Sequence, residues 1–505
     1  MANESVAATE WAKSVIRQDE IDRYLVDGKD FVDDALIESL LADQAEPDPA
    51  LVRELARGAR GGATLTPEQA AVLLRVRDEG LWEEMFAAAA EAKRAIYDNR
   101  VVTFAPLYCG DLCVNDCAYC GFRKSNPAIK RKVLTMAQIQ KEAELLAGKI
   151  GHKRLVVVFG EHPATDADYI AECMKKIYEV RVPGRVGMGA IRRVNVNAAP
   201  MCVAELRKLH EAGIGTFQVF QETYHRPTYE AVHPRNTIKG HMRWRLYALH
   251  RAMEAGIDDV AMGALLGLHD WRYELLAMVM HTRDLERQFG IGVHTVSVPR
   301  IEPAENTDFA WLKHRVSDQD FKRLVCLLRL CIPSAGLIVT CRETPEMIRD
   351  VIPMCTQRDA SSRIGIGAYA DGATEDAGGQ TGERQQFILG DTRSLDVVVR
   401  ELAEMGYITS FCTAGYRCGR TGKKIMDLLR SGREGCFCKL NAVLTFQEWL
   451  EDFASPETQE VGARIVAKEL EEIKARTPKD FSEPLHRNFL GDLERIKKGE
   501  RDLYF

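Results

Sequence analysis

The chain lacks a surface of one charge sign. Its 505 residues carry 68 Lys and Arg against 74 Asp and Glu, a net charge of −6, and the basic residues are scattered rather than striped. With a pI near 6.1, this balance points away from nucleic acid as a partner. Long apolar runs are also missing, and none approaches the roughly 18 residues of a membrane span. The opening Met-Ala-Asn-Glu-Ser-Val is polar and acidic, without the basic start and apolar stretch of an export signal. Fourteen cysteines without such a signal imply a reducing, cytoplasmic setting, where thiols serve metals rather than disulfides. Hydrophobic residues make up 46% of the chain, enough for a core without cross-links. The length allows one barrel of about 250 residues with flanking regions.

Three of the cysteines stand within eight residues, Cys113, Cys117 and Cys120, in a C-x3-C-x2-C spacing with Tyr119 before the last and Phe122 just beyond it. Three thiolates so close can hold three corners of a [4Fe–4S] cube and leave one iron open to a small molecule. Zinc asks for four protein ligands, or three and a water, and its cysteine pairs are usually spaced C-x2-C or C-x4-C. The spacing matches that of the radical S-adenosylmethionine (SAM) enzymes, in which the open iron chelates the amino and carboxylate groups of SAM.

Residues 1–98 read as a helical region, with a capping signal at Thr66-Pro67-Glu68-Gln69. From Val101 short apolar runs alternate with amphipathic helices, and eight candidate strands cover 101–107, 155–159, 186–191, 216–220, 258–264, 293–298, 335–339 and 363–368. Helices are expected between them at 136–147, 201–212, 244–255 and 273–288. Alternation repeated eight times predicts an α/β fold, a (β/α)8 TIM-type barrel over 99–385, followed by a helical region with a cysteine-rich loop over 386–505.

Active sites of such barrels lie at the carboxyl ends of the strands. There the second strand offers Gly160-Glu161, a close backbone approach beside a carboxylate suited to the ammonium of SAM. The fourth offers Gln221-Glu222, polar groups suited to ribose hydroxyls. The sixth carries His294 and ends at Arg300, and the seventh leads to Arg342; either arginine can pair bidentately with a substrate carboxylate or serve a structural ion pair. His269 and His281 are further polar candidates.

With these residues in place, the chain resembles the radical SAM tyrosine lyases of the HydG type, which mature [FeFe]-hydrogenase. It is similar, more distantly, to 2-iminoacetate synthase of thiamine biosynthesis and to the tryptophan lyases. The marks run from about Phe31 to Tyr504: Ala105-Pro-Leu-Tyr108, the loop ending Cys120-Gly-Phe-Arg123, Val219 to His225, Gly267-Leu-His-Asp-Trp-Arg272, His294 to Arg300, and Gly406 to Cys412. The resemblance implies a full barrel, a 5′-deoxyadenosyl radical and cleavage of the Cα–Cβ bond of tyrosine to p-cresol and dehydroglycine. It also implies a reductant such as ferredoxin or flavodoxin, and SAM contacts from Tyr119, Phe122, Gly160, Glu161, Gln221 and Glu222.

The hydrogenase maturases make CO and cyanide at a second cluster held by a C-x2-C-x22-C set. The matching positions here are Cys412, Gly415 and Cys438, so the middle ligand is a glycine. Cys418 and Cys436 lie nearby. A cluster on rearranged ligands such as Cys412, Cys418, Cys436 and Cys438, or no cluster at all, are the open readings. The leading expectation is a lyase limited to the radical half of the chemistry. A complete maturase, a lyase for another amino acid and a non-catalytic Fe–S carrier are its alternatives.

Overall fold

β1, Arg100–Gly110, is long because it serves several partners at once. Its last residues pair in parallel with β2 (Arg154–Phe159), Ala105 opposite Leu155, while Val102 to Phe104 pair with β10 (Gln357–Asp359). Between these lie β5 (Arg193–Asn197), β6 (Phe217–Gln218), β7 (Val260–Gly263), β8 (Thr295–Ser297) and β9 (Gly336–Val339), each parallel to the next. The eight strands close into a (β/α)8 barrel. A small antiparallel hairpin, β3 (Val182–Pro183) with β4 (Met188–Gly189), stands outside it, and β11 (Ile408–Ser410) adds to the first residues of β1. The molecule is a computed structural model, and it describes residues 11–370, 385–411, 413–419, 422–424 and 434–505.

The helices form where the apolar periodicity places them. Met136–Leu145, Val203–Glu211 and Trp271–Phe289 follow their strands, and Thr66 and Gln69 make the reciprocal capping box expected of them. N-terminal helices such as Glu79–Tyr97 pack against the barrel's outer helices, and three long C-terminal helices, Glu434–Asp452, Pro456–Ala475 and Glu483–Lys497, complete the fold. Among the described residues no helix is long and apolar enough to cross a membrane.

Two expected strands are corrected. The third is 193–197 rather than 186–191, and the eighth is 357–359 rather than 363–368. In β5 the apolar residues Val194 and Val196 alternate with Arg193, Asn195 and Asn197, and Asn197 faces the barrel cavity. The interior of that strand is polar, so the apolar run upstream looked more strand-like. Val186 and Met188 are in fact exposed, on the hairpin.

Candidate active site

β1 runs straight into the three-cysteine loop, and hydrogen bonds pin that loop to the barrel mouth. Val114 N–H donates to Glu161 O at 2.9 Å, Ala118 N–H to Val232 O at 3.0 Å and Gly121 N–H to Gln386 O at 3.2 Å. Arg131 donates to the carbonyls of Asp111, Phe122 and Arg123 at 2.7, 2.8 and 2.6 Å. One guanidinium thus satisfies three carbonyls of an irregular segment that has no strand partner.

Cys113, Cys117 and Cys120 are free thiols that line one cavity of about 230 Å³. Burial pushes the thiol of Cys113 up to about 11 and that of Cys117 up to about 12, so their thiolates depend on a positive partner such as iron. No three His, Cys, Asp or Glu side chains among the described residues close on a single metal ion; the three thiols ring the cavity instead. Free thiols on a pinned loop, facing a shared space, fit a cube held at three corners. Gln386 Nε2 lies 3.5 Å from Cys120 Sγ and donates to it.

Tyr119 and Phe122 line the same cavity. The Tyr119 hydroxyl bonds His233 Nε2 at 2.8 Å, and Phe122 meets Tyr108 edge-on at 6.1 Å. Gly160 follows β2 against the loop, and a Cβ there would collide with Leu112 O. Glu161 beside it accepts from Asn115 Nδ2 at 2.5 Å. Burial pushes its carboxyl up, opposed in part by Arg245, Asn115 and Lys239.

Glu222 takes a left-handed backbone, φ 70°, which costs a non-glycine residue about 1–3 kcal/mol. Its carboxylate accepts from Lys239 Nζ at 2.7 Å and Arg245 Nη2 at 3.4 Å. Burial pushes the carboxyl up, but Lys239 and Arg245 outweigh it and hold Glu222 below the ordinary range. Buried Glu161 and the largely buried Glu222, Lys239 and Arg245 therefore lie together beside the thiols. Gln221 does not join them. Gln218, Phe220 and Glu222 line the cavity, and strand alternation turns Gln221 the other way, where both its amide atoms are buried without a partner.

The remaining candidates separate. Arg342 lines the cavity; its guanidinium lies over the Phe387 ring at 3.4 Å and pairs with no carboxylate among the described residues. Arg300 is committed elsewhere: Nε donates to both Glu343 oxygens at 3.0 Å and Nη1 to Asp318 at 2.7 Å. His294 precedes β8 and so lies at the opposite, amino-terminal end of the barrel. Its Nε2 is 3.3 Å from the Tyr416 hydroxyl and 3.9 Å from Asp259. A histidine at the start of a strand is a strand's length from the mouth, and the expectation of a mouth position for it is corrected. His281 is buried and bonds the Tyr224 hydroxyl at 2.8 Å; His269 stacks on His225 with ring centroids 3.7 Å apart. Neither lines the cavity.

Sequence reasoning missed Lys239, Arg245, Asn115, Glu302 and Gln386. Asn115 lies inside the cysteine motif itself and was the one within reach. In the C-terminal loop, Cys418 is exposed and Cys438 is half-buried. Gly415 offers no side chain, and Cys412 and Cys436 lie outside the residues whose side chains are described. A second cluster is not given a ligand set by these positions.

Comparison with known proteins agrees with this geometry. The radical SAM superfamily model matches residues 107–280, and that of the Biotin and Thiamin Synthesis associated domain matches 297–408. 2-Iminoacetate synthase of Escherichia coli is 30% identical over 354 residues, 69% of this chain and 87% of that protein. The crystal structure of HydG, a maturase of the [FeFe]-hydrogenase, superposes with a TM-score of 0.87 at 43% identity, covering 94% of this chain and 100% of the other. HydG from Carboxydothermus hydrogenoformans gives 0.73 at 33% identity, over 91% and 98% of the two chains. A [4Fe–4S] cluster and SAM are the cofactors of this family, and the thiol-lined mouth is built to take them. The chain thus belongs to the radical SAM superfamily, in the company of 2-iminoacetate synthase and HydG.

Proposed function

We propose that this protein is a carbon–carbon lyase that splits the Cα–Cβ bond of an amino acid, tyrosine first, into p-cresol and dehydroglycine. The observation that carries the reading is Arg342, a cavity-lining guanidinium without a carboxylate partner among the described residues, sharing one space with the three free thiols. The likeness to 2-iminoacetate synthase and HydG supports it.

Cys113, Cys117 and Cys120 would hold a [4Fe–4S] cluster, which with SAM and one electron from a donor such as ferredoxin or flavodoxin would supply a 5′-deoxyadenosyl radical. Gly160 would let the backbone approach SAM, and Glu161, steadied by Asn115, would accept from its ammonium. Glu222, fixed by Lys239 and Arg245, would take the ribose hydroxyls, and Tyr119 and Phe122 wall the cavity. Arg342 takes the substrate carboxylate in a bidentate pair. Arg300, spent on Glu343 and Asp318, instead braces the mouth. Held so, the substrate would lose one hydrogen atom from its amino group or phenol to that radical, the Cα–Cβ bond would break, and dehydroglycine would leave. The benzylic fragment takes up one electron from the reductant and one proton to become p-cresol.

Because Gly415 brings no ligand and Cys418 is exposed, the reading stops at this radical half, without CO or cyanide, in a reducing cytoplasm. Anaerobic protein reconstituted with iron and sulfide, given dithionite, SAM and tyrosine, should form 5′-deoxyadenosine and p-cresol together by mass spectrometry. 5′-Deoxyadenosine without p-cresol would reject tyrosine, and neither product from a fully loaded protein would reject the lyase.

A further inference from the structure

An α-amino acid carries two opposite charges on groups that share one carbon, and among the described residues the cavity wall holds a side chain of each sign without an ion-pair partner. Arg342 is the cation. Its guanidinium stacks on Phe387 at 3.4 Å, and its Nη1 donates to Arg300 O at 3.4 Å. The chain continues from Arg300 through Ile301 to Glu302, and Ile388 N–H, next to Phe387, donates to Pro303 O at 2.9 Å. Arg342, Phe387 and the segment from Arg300 to Pro303 are therefore one packed unit, which sets Glu302 near Arg342 on the wall of the same cavity.

The carboxylate of Glu302 has no hydrogen bond or ion pair to any described residue. Its neighbours do. Glu343 is taken by Arg300, Glu222 by Lys239 and Arg245, and Glu161 by Asn115. Asp359 accepts from Cys341 N–H at 2.8 Å and Ser362 Oγ at 2.5 Å. Glu302 is thus the cavity-lining carboxylate left without a partner, and it does not close on Arg342. Burial and Glu343 push its carboxyl up, against Arg342, Arg300 and Arg315. A half-buried carboxylate with arginines nearby but none within hydrogen-bond reach is only partly compensated, and a cationic ligand group would complete it.

We propose that Glu302 accepts the substrate's ammonium group while Arg342 takes its carboxylate, so that the mouth reads the headgroup of an α-amino acid as a zwitterion. The proposal rests on the amino-acid lyase reading but not on tyrosine, because every α-amino acid presents the same two charges. The side chain is then left to the inner part of the cavity, where Phe104, Val156 and Phe220 supply apolar walls.

The test compares wild type with Glu302→Gln, an isosteric change that keeps the volume and removes the charge. Both are reconstituted with iron and sulfide, and equal iron content and melting temperature establish equal folding. Turnover is measured against tyrosine at saturating SAM, with 3-(4-hydroxyphenyl)propionate, which lacks the amine, as competitive inhibitor. The expected result is a KM for tyrosine raised roughly 10- to 100-fold, as for loss of a charge-assisted bond, with the inhibition constant of the amine-free acid and the KM for SAM unchanged. Glu302→Asp, which keeps the charge, should recover part of the loss. An unchanged KM for tyrosine, an equal loss for tyrosine and the amine-free acid, or an effect on SAM alone would each overturn the assignment. If wild type makes no p-cresol, the amino acid that most accelerates 5′-deoxyadenosine formation replaces tyrosine in the same comparison. Should no amino acid accelerate it, the lyase reading falls in the wild type, and Glu302's assignment with it.

Discussion

Gly160 leaves no room for a side chain. Leu112 O stands where its Cβ would be, and Leu112 immediately precedes Cys113, so Gly160→Ala must push the three-cysteine loop or β2 aside. It should cut 5′-deoxyadenosine formation by at least about tenfold, since a displacement of about 1 Å in a reacting site costs up to about 100-fold. Retention of the wild-type rate would show that the loop does not need this close approach. Arg342→Lys keeps the charge but loses the planar fork, and should raise the KM for the amino acid roughly tenfold at little change in KM for SAM. An unchanged KM would remove Arg342 from the substrate site. The cysteines, Gly160 and Glu161 were legible because their chemistry depends on residue type at short spacing. Lys239 and Arg245 were not, because a cation on a helix or loop ordinarily reads as solvated, and only burial against Glu222 shows otherwise. Gln386 reaches Cys120 from 266 positions away, a separation that no local pattern reports.

Six of the barrel's strands could be read from their apolar runs, and the two that could not are those whose residues are mainly polar, Arg193–Asn197 and Gln357–Asp359. A barrel that encloses a polar reaction space needs such strands, so the failure of the hydrophobic pattern falls on strands that face the site. The C-terminal helices were expected as an extension, but their role in bracing the barrel was not visible. Glu448, on Glu434–Asp452, meets Lys153 Nζ at 2.6 Å and Arg192 Nη2 at 2.5 Å, just ahead of β2 and β5. Burial pushes the Glu448 carboxyl up, yet Lys153 and Arg192 together hold it at about 2. Lys153 is itself pushed down to about 8, by burial first and then Arg192, so the group is charged at neutral pH. The unfolded carboxyl protonates first as pH falls, near 4.5, while the folded one resists to about 2. The stabilisation from Glu448 is therefore complete above about 4.5 and lost as pH falls toward about 2. Glu448→Gln should destabilise by about 3–5 kcal/mol at neutral pH, by leaving the buried Lys153 without its paired carboxylate and Arg192 with Asp502 in place of two carboxylates. The difference from wild type should shrink on acidification through that window in denaturant titrations. A difference of under about 0.5 kcal/mol at pH 7 would show that the ion group does not brace the barrel.

At the scale of the whole molecule, the cavity joins segments distant in sequence, from Phe104 in the first strand to Leu389 beyond the last. A ligand that fills it ties the barrel mouth together and stabilises the fold by mass action. SAM at 100 times its dissociation constant should add about 2.7 kcal/mol to the cluster-loaded protein, read as a rise in melting temperature. It should add little to Cys117→Ala, which would remove one of the three thiols proposed to hold the cluster. An equal rise in both would place SAM away from the thiols. On the lyase reading, a radical formed beside those thiols begins the cleavage by taking an exchangeable hydrogen from the substrate's amino group or phenol. Turnover in D2O with mass analysis of the 5′-deoxyadenosine decides whether it does. One deuterium in that product, appearing along with p-cresol, is the predicted result. p-Cresol accompanied by 5′-deoxyadenosine that carries only protium would place the abstracted hydrogen on carbon and contradict the account.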